Sequence, residues 1–205
     1  QDLYVGSRML SQLASAGFRA AKDSSGFKPI FPVEIEVKNE KNRLPKGVPH
    51  RLAFISEQEP NALAQKVEDA IRDYWVTEYA GKVYDYLLRK GIGKGEWEST
   101  FKRQQENWLE CYWVAVPYVK KEHNASFGQA AGAMAQRKLM RHFPQIEEPG
   151  RKCTLTGAQS ALEIPWAKLK EEMYDEESIV LRENEHLGTV SYTHLRAHET
   201  KANLV

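Results

Sequence analysis

Apolar positions at helical spacing open the chain. Leu3, Leu10, Leu13 and Phe18 fall near one stripe, which predicts a helix over residues 1–21. The sequence begins with Gln rather than Met, and this helix starts at once. We therefore expect the chain to be an internal piece of a longer protein.

Two short extended segments follow the first helix. Residues 27–37 alternate between apolar and polar positions, and Pro29 and Pro32 limit the strand to a few residues or to a sheet edge. Residues 38–47 are charged and rich in turn residues, which predicts a loop. The apolar run RLAFI at residues 51–55 then predicts a core strand.

The longest amphipathic pattern lies in the middle of the chain. An apolar stripe runs from Leu63 to Leu87 over about eight turns, which predicts a long helix that starts at Pro60 and bends at Gly81. A glycine-rich break follows, and the aromatic spacing from Trp97 onwards predicts a second helix. We expect the aromatic side chains of both helices to belong mainly to the core and to interfaces.

The strongest strand signal comes after this helical pair. Residues 112–118 (YWVAVPY) are aromatic and β-branched and reach a proline near their end. Ser126 is placed to cap a helix over residues 126–142, and shorter helices are predicted at residues 164–174 and 177–186. The last part of the chain is therefore predicted to be mainly helical.

The order of these elements indicates the fold class. The predicted order is helix, strand, strand, helical pair and strand. If one further strand precedes residue 1, this order becomes βαββαβ, which is the ferredoxin-like unit. We predict an α+β chain in which residues 1–125 form an incomplete ferredoxin-like (palm) domain that lacks its first strand and carries a long helical insertion. A small, mostly helical region follows at residues 126–190.

Composition and charge exclude several classes of function. The 205 residues carry 29 Lys and Arg against 28 Asp and Glu, a net charge of +1, so no global basic field attracts nucleic acid or a membrane. Two cysteines are too few for a secreted disulfide framework and indicate a cytoplasmic protein. No apolar run approaches the roughly 18 residues of a membrane span.

The last 15 residues are unusual. Residues 191–205 (SYTHLRAHETKANLV) carry His194 and His198 four apart, a spacing that places two zinc ligands on one helix face. However, SYTHLRAHET resembles the translated read-through of sequencing adapters found in predicted environmental proteins. We therefore interpret this segment as an artefact tail, leave it out of the fold and give the histidine pair no role.

Candidate chemistry is sparse in the remaining chain. Gly6, Ser7 and Ser11 lie near the start of a helix and could present polar groups to a phosphate, although Gly6 and Ser7 also suit close packing. Neither a P-loop nor a dinucleotide-binding glycine motif is present. Paired acids such as Glu147 and Glu148 are expected at the surface, and no spacing indicates a catalytic triad. No catalytic residue is assigned.

A zinc knuckle is only half present around Cys153. This cysteine stands in K-C-T-L-T-G, where a knuckle requires a second thiolate three residues later. Thr156 occupies that position, and Cys111 is expected to pack at a strand entrance. We expect no metal ligands and no zinc in this chain.

Four stretches, in order, resemble one family: the large polymerase-like subunit of type III-B CRISPR effector complexes (the Cas-ten family, Cmr branch). QDLYVGSRMLS resembles the family's T-Q-D-L-W-x-G-S-x-L-L-S helix, and VPHRLAFI resembles its P-N-R-F-L-A strand. YWVAVP follows, and GRKCTLTGAQSAL resembles the K-C-x-x-x-G-x-x-x-A-L knuckle. The stretches are residues 1–11, 48–55, 112–117 and 150–162.

This resemblance implies a palm domain followed by the start of a zinc-binding region. The family converts ATP to cyclic oligoadenylate when its complex binds target RNA, with two metal ions held by a Gly-Gly-Asp-Asp motif in a second palm. This chain lacks that motif and the HD nuclease motif, so it is catalytically incomplete by itself. The helix carrying Gly6, Ser7 and Ser11 is then the piece expected to contact ATP. Partners would be the other subunits and, indirectly, crRNA and target RNA.

Two other interpretations stay open. The chain would be a non-catalytic α+β scaffold or RNA-associated interaction module if it bound a helical partner but no ATP. Metal-dependent hydrolysis through His194 and His198 depends on the suspect tail.

Overall fold

The computed structural model describes residues 2–33, 48–140, 148–174, 181–182 and 184–202. The predicted loop at residues 38–47 lies outside these ranges. Helices dominate, with one small antiparallel sheet, so the α+β class is confirmed at that level. Within the described ranges, no helix is both long and apolar enough to cross a membrane. The elements are α1 (Asp2–Lys22), β1 (Lys28–Phe31), β2 (Ala53–Ile55), α2 (Pro60–Trp75), α3 (Gly81–Arg89), α4 (Trp97–Asn107), α5 (His123–Leu139), α6 (Trp166–Tyr174) and α7 (Thr189–Ala202).

The chain folds as two compact units, each built from separate stretches. The first unit contains Gln1–Ser7, Arg72–Leu109 and Gln145–Val205, and the second contains Arg8–Ile71 and Glu110–Pro144. The predicted domains at residues 1–125, 126–190 and 191–205 describe parts of a longer protein and stay a prediction.

The second unit contains the sheet. Strands β1 and β2 pair antiparallel, with Lys28 opposite Ile55 and an irregular register between Pro29 and Phe31. A two-stranded sheet has only edge strands, which is why the prolines are tolerated. For the same reason β2 is half-buried along its length, so its predicted place in the core is wrong.

Three phenylalanines attach the sheet to α1. The rings of Phe18 and Phe27 meet edge-on at 5.6 Å between centroids, and Phe27 lies 5.4 Å from Phe54 of β2. Phe18 is buried on the apolar stripe that predicted α1. The helix and the hairpin therefore share one aromatic contact surface.

The predicted strand at residues 112–118 is wrong. These residues form no strand with any described part of the chain. Their burial still alternates, since Val114 and Val116 are half-buried while Trp113, Ala115 and Pro117 are exposed, as in an extended chain. The β-prone side chains of this segment therefore accompany an extended pattern of burial, but a strand would also require a neighbouring strand to pair with.

The helical predictions near the C-terminus need two corrections. Helix α5 begins at His123, so Ser126 lies inside it and accepts a hydrogen bond from the Val119 N–H at 3.2 Å instead of capping the first turn. Helix α6 matches the predicted helix closely. The described part of residues 177–186 is not helical.

The predicted long helix contains a π-turn. Helix α2 passes into a π-turn at Val76–Ala80 and continues as α3 without a loop. The Gly81 N–H donates to the Val76 carbonyl, which closes the wider turn. A Cβ at Gly81 would lie 2.6 Å from that carbonyl oxygen, so the turn requires glycine there. The structure therefore has a change of hydrogen-bond register just before Gly81, and the bend predicted there stays a prediction.

Leaving the C-terminal segment out of the fold is wrong for its described residues. In α7, Tyr192 and Thr193 are at most 1% exposed. The Tyr192 ring meets Trp166 edge-on at 5.6 Å, and the Arg196 guanidinium lies 3.7 Å from the centroid of the Tyr86 ring. The helix therefore belongs to the core of the first unit, while the origin of its sequence stays a prediction.

We predict that Gly81→Ala destabilises the protein. An alanine in a helix normally stabilises by about 0.5–1 kcal/mol relative to glycine, but here the methyl group meets the Val76 carbonyl and should cost about 1–3 kcal/mol. Gly132→Ala in α5 is the control, because no atom lies within 4 Å of its added Cβ. Urea unfolding followed by circular dichroism compares the two. A stabilised Gly81→Ala variant would show that the π-turn does not depend on glycine.

Candidate functional site

The three residues predicted to contact a nucleotide all lie on α1. Helical geometry places Ser7 and Ser11 one turn apart on the same face, with Gly6 on the adjoining face. Ser7 is exposed, whereas Gly6 and Ser11 are half-buried. The helix therefore presents one exposed serine, Ser7, whereas the hydroxyl oxygen of Ser11 is buried.

The Ser11 hydroxyl is unusual because its oxygen is buried and has no hydrogen-bond partner. One turn later, the Ser15 hydroxyl donates to the Ser11 carbonyl at 2.8 Å, so that neighbouring serine is satisfied locally. An unsatisfied buried hydroxyl costs about 1–3 kcal/mol. Of the predicted contacts, Ser11 is the one whose buried hydroxyl has no partner among the described residues.

Gly6 lies against α7. A Cβ at Gly6 would lie 3.1 Å from Nε2 of His194, so the glycine permits the imidazole ring to pack on α1. This contact favours the close-packing role that the sequence left open for Gly6. A nucleotide contact at Gly6 stays a prediction.

The loop around Cys153 forms a tight turn. The Cys153 N–H donates to the Gln159 carbonyl at 2.8 Å, and the Gly157 N–H donates to the Cys153 carbonyl at 2.8 Å, with Gly157 in the left-handed region at φ +66°. Cys153 is 1% exposed, and its thiol donates to the Ser191 hydroxyl at 3.3 Å.

Thr156 lies next to the Cys153 sulfur, where a second thiolate would complete a knuckle. Burial raises the pKa of the Cys153 thiol, but hydrogen bonds with Ser191, Gly188 and Thr156 outweigh it, so the pKa lies below its usual value. Within the described residues, no three His, Cys, Asp or Glu side chains are grouped to hold a metal ion. The side chain of His198 lies outside that set.

A buried carboxylate, Glu148, organises this loop. It is 6% exposed, so its predicted surface position is wrong. Its Oε2 accepts hydrogen bonds from Gln104 Nε2 at 2.7 Å and from the Ser160 N–H at 2.6 Å, and Arg103 lies 3.5 Å from Oε1. Burial raises the pKa of Glu148. These hydrogen bonds and the Arg103 charge have a larger effect in the opposite direction, so the pKa of Glu148 lies below its usual value.

A cleft that is partly open to solvent lies beside the π-turn, and no pattern in the sequence predicted it. It has a volume of about 190 Å³. Trp75 and Trp108 form part of its wall, with ring centroids 4.2 Å apart. The Arg72 guanidinium donates to the Glu106 carbonyl at 2.9 Å and to the Leu109 carbonyl at 3.1 Å. The lining residues are Arg72, Trp75, Val76, Gln105, Glu106, Trp108 and Leu109.

The aromatic pattern had indicated only that Trp75 belongs to the core. Trp75 is indeed 1% exposed, but its buried indole Nε1 has no hydrogen-bond partner in the part of the chain that the structure describes. No periodicity in the sequence reports such a missing partner, because it depends on which groups surround the ring. Comparison of the chain with family models, curated proteins and solved structures yields no match.

We predict that Glu148→Gln destabilises the first unit in a pH-dependent way. Because the folded-state pKa of Glu148 is lowered, its stabilising effect is present above the unfolded pKa of about 4.3 and is lost as the pH falls through the folded value. At pH 7 the free energy of unfolding should fall by about 1–3 kcal/mol. The control variant is Glu171→Gln, because Glu171 is exposed on α6. It should change the free energy of unfolding by less than about 0.5 kcal/mol.

Urea unfolding of both variants between pH 7 and pH 3 checks this. The difference between wild type and Glu148→Gln should shrink at the acidic end, because a protonated Glu148 resembles glutamine. A difference that stays constant over this range would rule out a role for the ionised carboxylate.

Proposed function

We propose that this chain contributes the first palm region of the large polymerase-like subunit of a type III-B CRISPR effector complex. It would support ATP binding and cyclic oligoadenylate synthesis in cytoplasmic, RNA-guided antiviral defence, while being catalytically incomplete by itself. The observation that carries this proposal is the order of the elements from α1 to the extended segment at residues 112–118.

The isolated state of that segment fits the proposal. In a split βαββαβ unit, the strand that precedes the first helix lies between the third and fourth strands. A chain without that strand therefore keeps one antiparallel hairpin and leaves its last strand without a neighbour. The second unit has the β1–β2 hairpin and an alternating, strand-free segment at residues 112–118. The same arrangement explains why the strongest β signal forms no ladder.

The residues present fit nucleotide binding only in part. The Ser11 hydroxyl has no partner among the described residues, and it would contact a ligand on α1 only if the groups that bury it moved aside. The paired aspartates that would hold two metal ions are absent from the sequence, and the described residues offer no cluster in their place. Catalytic metal chemistry would thus belong to a second palm, and this chain would position ATP.

A non-catalytic scaffold is the second candidate, and α5 is the observation that favours it. Of its 17 residues, only Ser126 is buried. Phe127 is 39% exposed at one end, and Leu139 is 86% exposed at the other. Such a helix leaves most of its surface for a partner protein.

The native reading frame tests the family assignment. We expect the genomic sequence downstream of residue 190 to continue into a region that encodes Gly-Gly-Asp-Asp. The corresponding full-length protein, assembled with its complex and target RNA, should convert ATP to cyclic oligoadenylate, measured by mass spectrometry. A native frame that ends without this motif would exclude the cyclase function.

We further predict that Ser11→Ala weakens ATP binding by that full-length protein about three- to tenfold, the loss of one hydrogen bond. Ser15→Ala is the matched control, because Ser15 lies one turn away and its hydroxyl is already bonded to the Ser11 carbonyl. Equilibrium dialysis with labelled ATP gives both dissociation constants. Equal effects of the two variants would remove Ser11 from the site. Absent ATP binding together with specific binding of a small helical partner would favour the scaffold function.

A further inference from the structure

Residues 112–118 form an extended segment whose backbone is open to pairing. No turn or bend interrupts the chain from residue 109 to residue 119, and Val119 has the extended dihedral angles φ −110° and ψ 111°. Within the described ranges, no N–H or C=O group of residues 113–117 makes a hydrogen bond. Such a run of unpaired donors and acceptors is a template for a strand from another chain.

Helix α5 contacts the segment near both of its ends. The Ser126 hydroxyl accepts a hydrogen bond from the Val119 N–H at 3.2 Å, and the Arg137 guanidinium lies 5.1 Å from the centroid of the Tyr112 ring. Ser126 is near the start of the helix and Arg137 is near its end, so the helix runs opposite to the segment. The extended conformation is therefore present before any partner binds, which lowers the ordering cost of adding a strand.

One face of the segment is apolar and exposed. Trp113, Ala115 and Pro117 point to the same side, because the side chains of an extended chain alternate, and all three are exposed. Trp113 is 42% exposed, and Val119, on the same side, is 47% exposed. Apolar side chains on an added strand would cover this face. Both the backbone and the side chains of the segment therefore offer contacts to a partner strand.

The segment has basic side chains at both ends. Arg137 and Lys138 lie at its start, and Lys120 and Lys121 follow its end. All four are exposed, and none forms an ion pair with a described residue. Residues 110–140 carry these four basic side chains against two acidic ones. Charge complementarity therefore favours a partner strand with acidic residues at its ends.

A second copy of this chain is a poor occupant for the same reason. If two copies paired in the antiparallel direction, the Arg137 end of one segment would meet the Lys121 end of the other. If they paired in the parallel direction, identical basic ends would meet. Either arrangement places like charges beside each other, which destabilises the pair.

We propose that residues 112–118 bind an extended, acidic segment of a partner protein as an added β-strand. The partner's backbone hydrogen-bonds to residues 113–117, its alternate apolar side chains cover the Trp113 face, and its acidic ends contact the cations. The surface lies within the second unit and does not rest on the nucleotide contacts proposed for α1. In a split βαββαβ sheet this segment would be the outer strand, which also keeps one edge open.

A synthetic peptide tests the geometry. The probe is a fluorescent peptide in which valine and threonine alternate between acidic ends, and the same peptide with lysine ends is its control. We expect the acidic peptide to bind at least about tenfold more tightly. When it is bound to the 205-residue chain, hydrogen exchange followed by NMR should slow only at alternate amides. These are either Trp113 and Ala115 or Val114 and Val116, because successive N–H groups point to opposite edges.

Two further peptides, each N-methylated at one set of alternate backbone amides, distinguish strand pairing from unspecific charge attraction. The peptide whose methyl groups face the protein should bind at least about tenfold more weakly than the other, since methylation removes the backbone donors. The variant Lys120→Glu/Lys121→Glu should weaken binding of the acidic peptide at least about threefold. Lys66→Glu/Lys102→Glu, at exposed positions of α2 and α4, makes the same change of charge elsewhere and should bind like wild type.

Several outcomes would overturn the proposal. They are unchanged exchange at residues 113–116 with about 1 mM acidic peptide, equal affinity for the two methylated peptides, or equal effects of the two double variants. A single-stranded oligouridylate that binds more tightly than the peptide and is lost in Lys120→Glu/Lys121→Glu would assign the surface to RNA instead. A dimer in analytical ultracentrifugation that the peptide dissociates would assign it to a second copy. No readout here involves ATP, so this proposal and the proposed function can fail separately.

Discussion

The side-chain amide of Gln104 is the contact on which the first unit depends most. It is 1% exposed and bonds to three parts of the chain: its Nε2 donates to Glu148 and to the Ser160 carbonyl at 2.8 Å, and its Oε1 accepts from the Thr189 N–H at 2.8 Å. Gly188 passes so close that a Cβ there would lie 3.0 Å from the amide oxygen. An amide with both ends satisfied in this way specifies one arrangement of α4, the Cys153 loop and the start of α7, because any other leaves polar groups buried without partners.

The π-turn is a second constraint, and it acts through geometry. The Gly81 N–H bonds to the carbonyl of Val76, five residues earlier, so the hydrogen-bond register of the helix changes over this turn. Trp75 stands at the point of change and contacts Tyr79 in a stacked pair at 5.8 Å and Trp108 at 4.2 Å. These contacts bury Trp75 to 1% exposure, so the π-turn begins directly beside an aromatic cluster of the first unit.

Elements that depend on local periodicity were predictable, and features that depend on partners were not. The stripe through Leu13 and Phe18 predicted α1, and the paired prolines predicted the short edge strand β1. The strand prediction at residues 112–118 was wrong because β propensity is a property of the side chains, whereas a strand also needs the backbone of a neighbouring strand to pair with. The predicted surface position of Glu148 was wrong for a similar reason. Its hydrogen-bond partners, Gln104 and the Ser160 N–H, are distant in sequence, so nothing local distinguishes this carboxylate from a surface group. At the candidate sites, the position of Ser11 on the first helix led to its prediction, which stays untested, and no pattern in the sequence indicated the cleft beside Trp75.

The burial of α7 and its resemblance to adapter read-through are compatible. Tyr192 fills the core well, yet the hydroxyls of Thr189 and Thr193 are buried without hydrogen-bond partners, as is that of Tyr86, whose ring Arg196 covers. Native interiors leave few such groups, because each one costs free energy that an apolar side chain of similar size avoids. Thr189 and Tyr86 lie outside residues 191–205, so the unsatisfied hydroxyls are not confined to the segment that resembles adapter read-through. Helix α7 also covers Gly6, because the His194 ring packs against α1 at that position.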